Sequence, residues 1–203
     1  MMKSLEVTFW SLGVMLMLFF FGAHAWGEIE RQRSISAFAE TQQSVGASTL
    51  ALTSSSPSLI SVATDIAQPP GEGVLAILRA SGIGLELPVR YGTDERVLRR
   101  GPGLIEGTAL PGSDGNVAIA AHRDLHFRGL KDLELGDVIE LEMPDHTQSY
   151  IVTGLTVVEP ADVHVLDEVG QPVLTLVTCY PFYFVGNAPQ RFIVRAEAVD
   201  FLN

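Results

Sequence analysis

A run of 21 residues near the start of the chain, 7–27, contains no Asp, Glu, Lys or Arg. As a helix it would extend about 30 Å, which is the thickness of the hydrocarbon core of a bilayer. Trp10 and Trp26 lie near its two ends, where aromatic rings favour the headgroup level of a membrane. We therefore expect this run to form a single transmembrane anchor that follows a cytoplasmic N-terminus, residues 1–6.

Two other interpretations of the same run stay open. A buried core helix is the weaker one, because nothing polar interrupts the run. A cleaved signal peptide is the stronger one, since Ala23-His24-Ala25 has the small-x-small form of a cleavage site. The run is long for the apolar part of a signal peptide, which favours an uncleaved anchor. Lys3 favours an inside N-terminus, so we expect a single-pass protein of the cell (inner) membrane with its body on the extracytoplasmic, periplasmic side.

Residues 28–70 predict a linker between this anchor and the body of the protein. Within it, residues 34–70 hold nine Ser and four Thr, and their charged residues are Glu40 and Asp65. A flexible coil of this length would extend about 35 Å between its ends. The remaining residues, 71–203, are numerous enough to bury one modest hydrophobic core.

Short apolar segments recur through the body, with turn residues between them. Seven of them are predicted as strands: 74–78, 83–89, 117–121, 138–143, 150–158, 172–178 and 191–199. Seven or eight short strands punctuated by Gly, Pro and Asp predict a β-barrel or a β-sandwich. Helical signals are few. Thr93–Leu98 predicts one short helix capped by Thr93, and 127–135 predicts another turn or two.

Charge and cysteine content exclude several classes of function. The formal net charge of −11 argues against a nucleic-acid binder, because such a protein needs a basic surface to neutralise phosphates. The single cysteine, Cys179, excludes an intramolecular disulfide framework and a zinc site built from several thiolates. Neither a metal nor another cofactor is predicted.

The lone thiol lies at the end of a predicted strand. Alternation places Thr175, Val177 and Cys179 on one face of that strand. Tyr180-Pro181 then interrupts it, so Cys179 would be held by a strand and reached from a loop. A lone cysteine is also commonly a buried and inert core residue. Strand position alone does not separate these two alternatives.

Two other residues have the chemistry to activate such a thiol. His122 follows an apolar segment, and an imidazole can take a proton from a thiol or stabilise its thiolate. Arg191 lies twelve residues after Cys179, beyond a turn-rich loop, so antiparallel pairing would bring it back to the thiol. A guanidinium there can hold a substrate carbonyl or a developing oxyanion. Each feature alone is a weak signal, because a His or Arg at a strand end is more often structural.

Three segments of the chain match the motifs of one known family. Thr175-Leu176-Val177-Thr178-Cys179 is similar to a TLxTC signature, Ala121-His122 to a strand end that carries a histidine, and Arg191 to an arginine before an apolar strand. Together they resemble the sortases, which are cysteine transpeptidases. The resemblance runs in order through nearly all of 71–203. It is closest to class D-like and to Gram-negative, marine proteobacterial (class GN) sortases, because the stretch CYPF follows.

The resemblance implies a mainly β protein, namely a closed, eight-stranded sortase-type β-barrel with short helices, preceded by the transmembrane helix and linker. It implies that Cys179 is the nucleophile, His122 the general acid/base, and Arg191 the group that positions substrate and stabilises the oxyanion. The protein substrate would carry a C-terminal sorting signal of the LPxTG kind, cut after its Thr. The acyl group would then pass through a thioacyl-enzyme to an amine acceptor, as in the anchoring of proteins at the cell surface.

Supporting roles are expected for Thr178, for the backbone N–H of Tyr180 in an oxyanion hole, and for Asn116. Some sortases bind calcium through an acidic loop, but a solvated face is the favoured interpretation of the acidic residues in 132–145. Two other functions stay open. One is a cysteine hydrolase without amine transfer. The other is a non-catalytic, membrane-tethered β-barrel that binds peptides and carries an inert Cys179.

Overall fold

The computed structural model describes Trp10 and residues 13–18, 32–33, 35–36, 73–184 and 186–199. The predicted anchor and linker lie mostly outside these ranges. Within the ranges, we find no helix with the length and apolar character needed to cross a bilayer. The strands described below all belong to the last two ranges.

Eight strands in the described part of the chain close into a barrel in the order β1-β2-β3-β4-β7-β8-β6-β5. The strand bounds are β1 Val74–Ala80, β2 Leu85–Tyr91, β3 Gly103–Leu104, β4 Asn116–Ala120, β5 Val138–Glu142, β6 Thr147–Val158, β7 Val173–Tyr180 and β8 Gln190–Val199. Neighbours β2 and β3, and likewise β4 and β7, are parallel, and the other pairs are antiparallel. The predicted closed, eight-stranded and mainly β architecture is confirmed.

Seven of these strands coincide with the predicted segments, with ends that shift by a few residues. The eighth, β3, was not found from periodicity, because two residues are too few to show alternation. Its sequence, within Gly-Pro-Gly, is typical of a turn. Gly103 is nevertheless required in the sheet, since an added Cβ there would collide with the carbonyl oxygen of Gly92.

Helical structure in the body is short. One α-helix, α1, spans Glu95–Arg100, and three 3-10 turns span Ser81–Ile83, Arg128–Asp132 and Val163–Leu166. Helix α1 matters for the site, because it lies in the connection between β2 and β3 and contacts the segment that follows β4.

The cap of helix α1 differs from the prediction. Asp94, and not Thr93, is the N-cap, and its carboxylate accepts hydrogen bonds from the backbone N–H of Arg96 at 2.8 Å and of Val97 at 3.1 Å. These bonds, that of Val97 above all, lower the pKa of the Asp94 carboxyl. Thr93 instead donates its hydroxyl to Glu106 at 3.0 Å. Both residue types cap helices well, so the sequence alone did not separate them.

Alternate side chains fill the interior of the barrel. On the three strands that matter for the site, the inward residues are nearly or fully buried: Val117 and Ile119 of β4, Leu174 and Leu176 of β7, and Val194 and Ala196 of β8. Burying a large apolar side chain stabilises the fold by roughly 1.5–3 kcal/mol. A slip of one residue would turn this whole set outward, so the register of each strand is firmly specified. That register decides which residues at the strand ends face outward.

Candidate active site

Cys179 is the penultimate residue of β7, and its thiol is free and half-buried. Leu174 and Leu176 of this strand belong to the core cluster, whereas Val177 does not. Because side chains alternate along a strand, Cys179 lies with Val177 on the outer face. The thiol is therefore held by a barrel strand without being part of the core.

Arg191 lies directly opposite Cys179 on the neighbouring strand β8, so the predicted antiparallel pairing is confirmed. Directly opposite residues share a face of the sheet and have Cβ atoms about 4.5–5.5 Å apart. The guanidinium Nη1 of Arg191 donates to the carbonyl oxygens of Gln190 at 2.9 Å and Ala188 at 3.3 Å. These bonds hold the positive charge beside the end of the loop that enters β8.

His122 is positioned from the other side of β7. Strand β4 runs parallel to β7 and ends with Ala120 beside Val177. The pairing continues past the strand, since the Ala121 N–H donates to the Val177 carbonyl at 3.2 Å. In addition, the buried hydroxyl of Thr178 donates to the Ala121 carbonyl at 2.7 Å. Two bonds thus fix the residue before His122 to the residues just before Cys179.

The three candidate groups come from neighbouring strands at one end of the barrel. Strand β7, which carries Cys179, lies between β4, which is followed by His122, and β8, which carries Arg191. His122 and Arg191 are 69 residues apart in sequence, yet each is one strand away from Cys179. A nucleophile, a group that accepts and donates protons, and a fixed cation are the components that acyl transfer requires.

Helix α1 contacts the turn that carries His122. The imidazole Nε2 of His122 lies 3.8 Å from Glu95 Oε2, and this imidazole is 30% exposed. The carbonyl of His122 accepts from the N–H of His126 at 3.2 Å and of Phe127 at 3.0 Å, which closes the turn. Sequence reasoning assigned no role to Glu95, because no local pattern links it to a residue 27 positions later.

His126 is the second histidine of this turn and has a different environment. Its Nε2 lies 3.4 Å from the Arg99 carbonyl of α1. Burial lowers the pKa of His126, and the electrostatic contributions of His122 and Arg90 act in the same direction, while the Arg99 carbonyl and Asp124 oppose them. Folding therefore favours the neutral imidazole of His126 relative to the unfolded chain.

An apolar floor lies next to the thiol on the outer face of the barrel. It is formed by Ala118 and Ala120 of β4, Val177 of β7 and Ile193 of β8, none of which belongs to the core cluster. Ala120 and Val177 are partly exposed, while Ala118 and Ile193 are buried. The two partly exposed residues, Ala120 and Val177, are therefore the ones that a ligand could contact.

Tyr180 is the last residue of β7 and pairs with Gln190. Its ring stacks on Phe192 with centroids 6.2 Å apart and meets Phe182 edge-on at 5.9 Å. Phe182 and Phe192 also contact each other, at 5.3 Å. This aromatic cluster fixes the start of the β7–β8 loop immediately after Cys179.

Asn116 lies at the beginning of β4, at the opposite end of the strand from His122. Its side-chain amide donates to the carbonyls of Val165 at 3.0 Å and Asp167 at 3.2 Å, and its Oδ1 accepts from the Thr175 hydroxyl at 2.7 Å. The structure therefore does not bring Asn116 to the thiol. Instead, this buried amide anchors the β6–β7 loop.

That loop connects the site to the far end of the barrel. It begins after Val158, which pairs with Arg191. Near this start, the Gln190 side-chain amide donates to Glu159 at 3.1 Å. The loop then returns to Val173, beside Asn116. It crosses the outer face of the sheet, which explains why the outward residue Thr175 is fully buried.

Among the described residues, no group of three or more His, Cys, Asp or Glu side chains is arranged to hold a metal ion. The acidic residues of 132–145 are distributed over a 3-10 turn, a loop and strand β5. Cys179, His122 and Arg191 lie at the ends of neighbouring strands of the barrel.

Comparisons with known proteins identify the class of this barrel. Residues 78–199 match the family model of the sortase domain. The chain therefore belongs to the sortase family, whose members are cysteine transpeptidases.

The relatives agree with this assignment. The chain is 34% identical over 124 residues to sortase D of Bacillus subtilis (strain 168), and the match covers 61% of this chain and 63% of the relative. Sortase A of Corynebacterium diphtheriae is a structural neighbour with a TM-score of 0.59 and 32% identity, covering 63% of this chain and 61% of that one. The match thus spans less than two thirds of either relative.

A third neighbour shows similarity of fold over a longer stretch. The Clostridium perfringens sortase D5 transpeptidase matches with a TM-score of 0.63 and 22% identity, covering 85% of this chain and 98% of that one. The expected resemblance to class D sortases agrees with the relative from Bacillus subtilis.

Proposed function

We propose that this protein is a sortase that cleaves an LPxTG-like sorting signal after its Thr and transfers the acyl group to an amine. The observation that carries the proposal is the placement of Cys179 opposite Arg191, with the His122 turn bonded to the same strand on its other side. An extended peptide laid along the outer face of β4 and β7 would have its scissile carbonyl beside the thiol.

Acylation is the first half of the reaction. His122 takes the proton of the Cys179 thiol, and Sγ attacks the Thr carbonyl carbon of the signal while the guanidinium of Arg191 stabilises the negative charge that develops on the oxygen. His122 donates a proton to the departing amine as the C–N bond breaks. The products are a thioester on Cys179 and a released peptide with a free amino terminus.

Transfer to the acceptor is the second half. An incoming amine attacks the thioester carbonyl and His122 takes its proton, which restores the protonated imidazole. The C–S bond then breaks and leaves an amide joined to the acceptor. Water in place of the amine would give hydrolysis, so the second half-reaction distinguishes a sortase from a cysteine hydrolase.

The small residues of the outer face support the proposed substrate class. Ala120 and Val177 are partly exposed and lie two residues before His122 and Cys179 in the sequence. They offer an apolar contact for the Leu-Pro portion of a signal, while the site itself carries the imidazole and the guanidinium. We also propose that the protein belongs to the class D-like or class GN sortases.

The proposal includes a membrane anchor at residues 7–27 and a linker at 28–70, with the barrel on the extracytoplasmic side. It is supported by the uncharged run and its flanking Trp10 and Trp26. Expression of the full chain, membrane fractionation and N-terminal sequencing test it. Retention of residues 1–27 in the membrane fraction supports an anchor, and a mature N-terminus after Ala25 contradicts it.

The experiment for the enzymatic proposal uses a library of LPxTx peptides with several primary amines and identifies the products by mass spectrometry. A ligated product that requires both the amine and Cys179 supports the proposal. Cleavage with no ligation at any amine concentration indicates the hydrolase instead. Absence of any cleavage, together with ordinary alkylation rates at Cys179, indicates a binding domain.

A further inference from the structure

The arginine that follows His122 joins two parts of the proposed site. Arg123 Nη2 donates to the backbone carbonyls of Phe184 at 2.8 Å and Gly186 at 3.0 Å. Its guanidinium carbon also lies 5.9 Å from the centre of the Phe184 ring. Both acceptors belong to the β7–β8 loop, residues 181–189, whereas Arg123 belongs to the turn after β4.

A second arginine contacts the same loop. The guanidinium of Arg128 lies 5.4 Å from the centre of the Tyr183 ring. This ring is 72% exposed and Phe184 is 44% exposed, so neither is held by the hydrophobic core. The middle of the loop is therefore attached to the barrel through arginine contacts. Of these, the two hydrogen bonds of Arg123 are the directional ones.

The loop that Arg123 holds is the one that connects Cys179 to Arg191. The β7–β8 loop begins immediately after Tyr180 and ends immediately before Gln190, so its two ends lie next to the strand ends that carry Cys179 and Arg191. Arg191 in turn donates to the carbonyl of Ala188 in this loop and to that of Gln190, the first residue of β8. His122 is the residue next to Arg123. One side chain thus connects the turn that carries the imidazole to the loop that connects the thiol to the guanidinium.

We propose that Arg123 is a positioning residue of the transpeptidation reaction, which acts by fastening the β7–β8 loop to the His122 turn. The inference rests on the proposed function and identifies Arg123 as a residue on which the rate of transpeptidation depends. A planar guanidinium supplies a hydrogen-bonding nitrogen and a stacking face together, which a Lys ammonium does not. Loss of the fastening releases the loop without removing any group that touches the substrate.

The test compares the wild type with Arg123→Lys, which keeps the charge and removes the planar fork. We expect kcat to fall by about tenfold to a hundredfold, since small displacements of reacting groups have effects of this size. We expect KM to change less than about twofold, because the apolar floor on β4 and β7 is untouched. Arg96→Lys is the matched control, because Arg96 is an exposed arginine of α1 and its rates should stay those of the wild type.

Phe184→Leu separates the two kinds of contact, because it removes the ring beside Arg123 and keeps both backbone carbonyls that accept from Arg123. We therefore expect Phe184→Leu to lower kcat less than Arg123→Lys does. A larger loss in Phe184→Leu than in Arg123→Lys would overturn the proposal. An unchanged kcat in Arg123→Lys would overturn it as well.

Hydrogen exchange supplies a readout that does not depend on activity. In Arg123→Lys, the peptide that spans the β7–β8 loop should exchange faster, while peptides of β4, β6 and β7 keep their rates. Faster exchange throughout the barrel would overturn a positioning role and indicate general destabilisation. If the wild type proves unable to cleave any sorting signal, the proposed function fails, whereas the exchange experiment still decides whether Arg123 fastens the loop.

Discussion

Cys179 and Arg191 lie directly opposite each other across β7 and β8, on the outer face of a closed barrel. The register of this pair is fixed by packing, because the inward residues of both β7 and β8 are part of the core. The backbone positions that carry the thiol and the guanidinium are therefore held side by side before any substrate binds. Preorganised charge of this kind stabilises a developing oxyanion without reorganisation during the reaction.

The first prediction concerns the guanidinium. Replacing it by Arg191→Lys should lower kcat/KM by about a hundredfold, since a compact ammonium does not reproduce the two-carbonyl anchorage or the fixed donor geometry. Peptide cleavage followed by chromatography measures the effect. Arg195→Lys is the control, because Arg195 is an arginine of the same strand that pairs with Thr175 instead of Cys179. Equal losses in the two variants would argue against a specific role for Arg191.

The second prediction concerns the hydroxyl that connects the histidine turn to the thiol strand. Thr178→Val keeps the shape and removes the donor to the Ala121 carbonyl, leaving a buried acceptor without this partner. We expect the free energy of unfolding to fall by about 1–3 kcal/mol. Urea unfolding of the barrel measures it, with Thr178→Ser as the variant that retains the hydroxyl. A Val variant as stable as the Ser variant would contradict the assignment.

The third prediction concerns the anchorage of the β6–β7 loop. In Asn116→Leu the donors to Val165 and Asp167 and the acceptor for Thr175 are all lost, so a loss of about 1–3 kcal/mol is expected. Asn116→Asp should destabilise more than Asn116→Leu, because it directs a buried negative charge at two carbonyl oxygens. Thermal unfolding of both variants at neutral pH gives the order, and the reverse order would refute this explanation.

The fourth prediction concerns pH. Burial lowers the pKa of His126 from its ordinary value of 6.5, so the unfolded chain binds this proton more readily than the folded one. The stabilising contribution of the neutral ring is complete above about pH 6.5 and decreases as the pH falls towards the lower, folded-state pKa. His126→Gln should therefore show a smaller fall in Tm than the wild type between pH 7 and pH 5.

His146 provides the control for this pH experiment, because it is an exposed histidine paired with Asp145. A His146→Gln variant should retain the acid sensitivity of the wild type. If His126→Gln loses Tm on acidification as steeply as the wild type, the stability contribution assigned to His126 is absent.

The sequence predicted those parts of the site that depend on local pattern. Two strands joined by a turn-rich loop pair most simply as antiparallel neighbours, so the approach of Arg191 to Cys179 followed from their spacing. The alternation of Leu and Thr along β7 indicated the face on which Cys179 lies. The two-residue strand β3 left no periodic signal, and Thr93 and Asp94 are both residue types that cap helices, so local pattern did not separate them.

Contacts between distant segments were not predictable in this way. Parallel pairing of β4 and β7 requires a long connection, and no residue pattern near His122 indicates it. Its approach to Cys179 was expected from the sortase resemblance alone. Asn116 bonds to carbonyls about fifty residues later in the chain, which places it far from the thiol that it was expected to support.

Intact-protein mass spectrometry of the reaction tests the proposed activity most directly. The purified full chain is mixed with an LPxTG peptide and no amine, and the reaction is quenched in acid. We predict an adduct equal to the acyl portion that ends in Thr, located on Cys179 by fragmentation and discharged as an amide when an amine is added. An unmodified Cys179 during active cleavage, or the same cleavage by Cys179→Ala, would contradict the proposed thioacyl-enzyme.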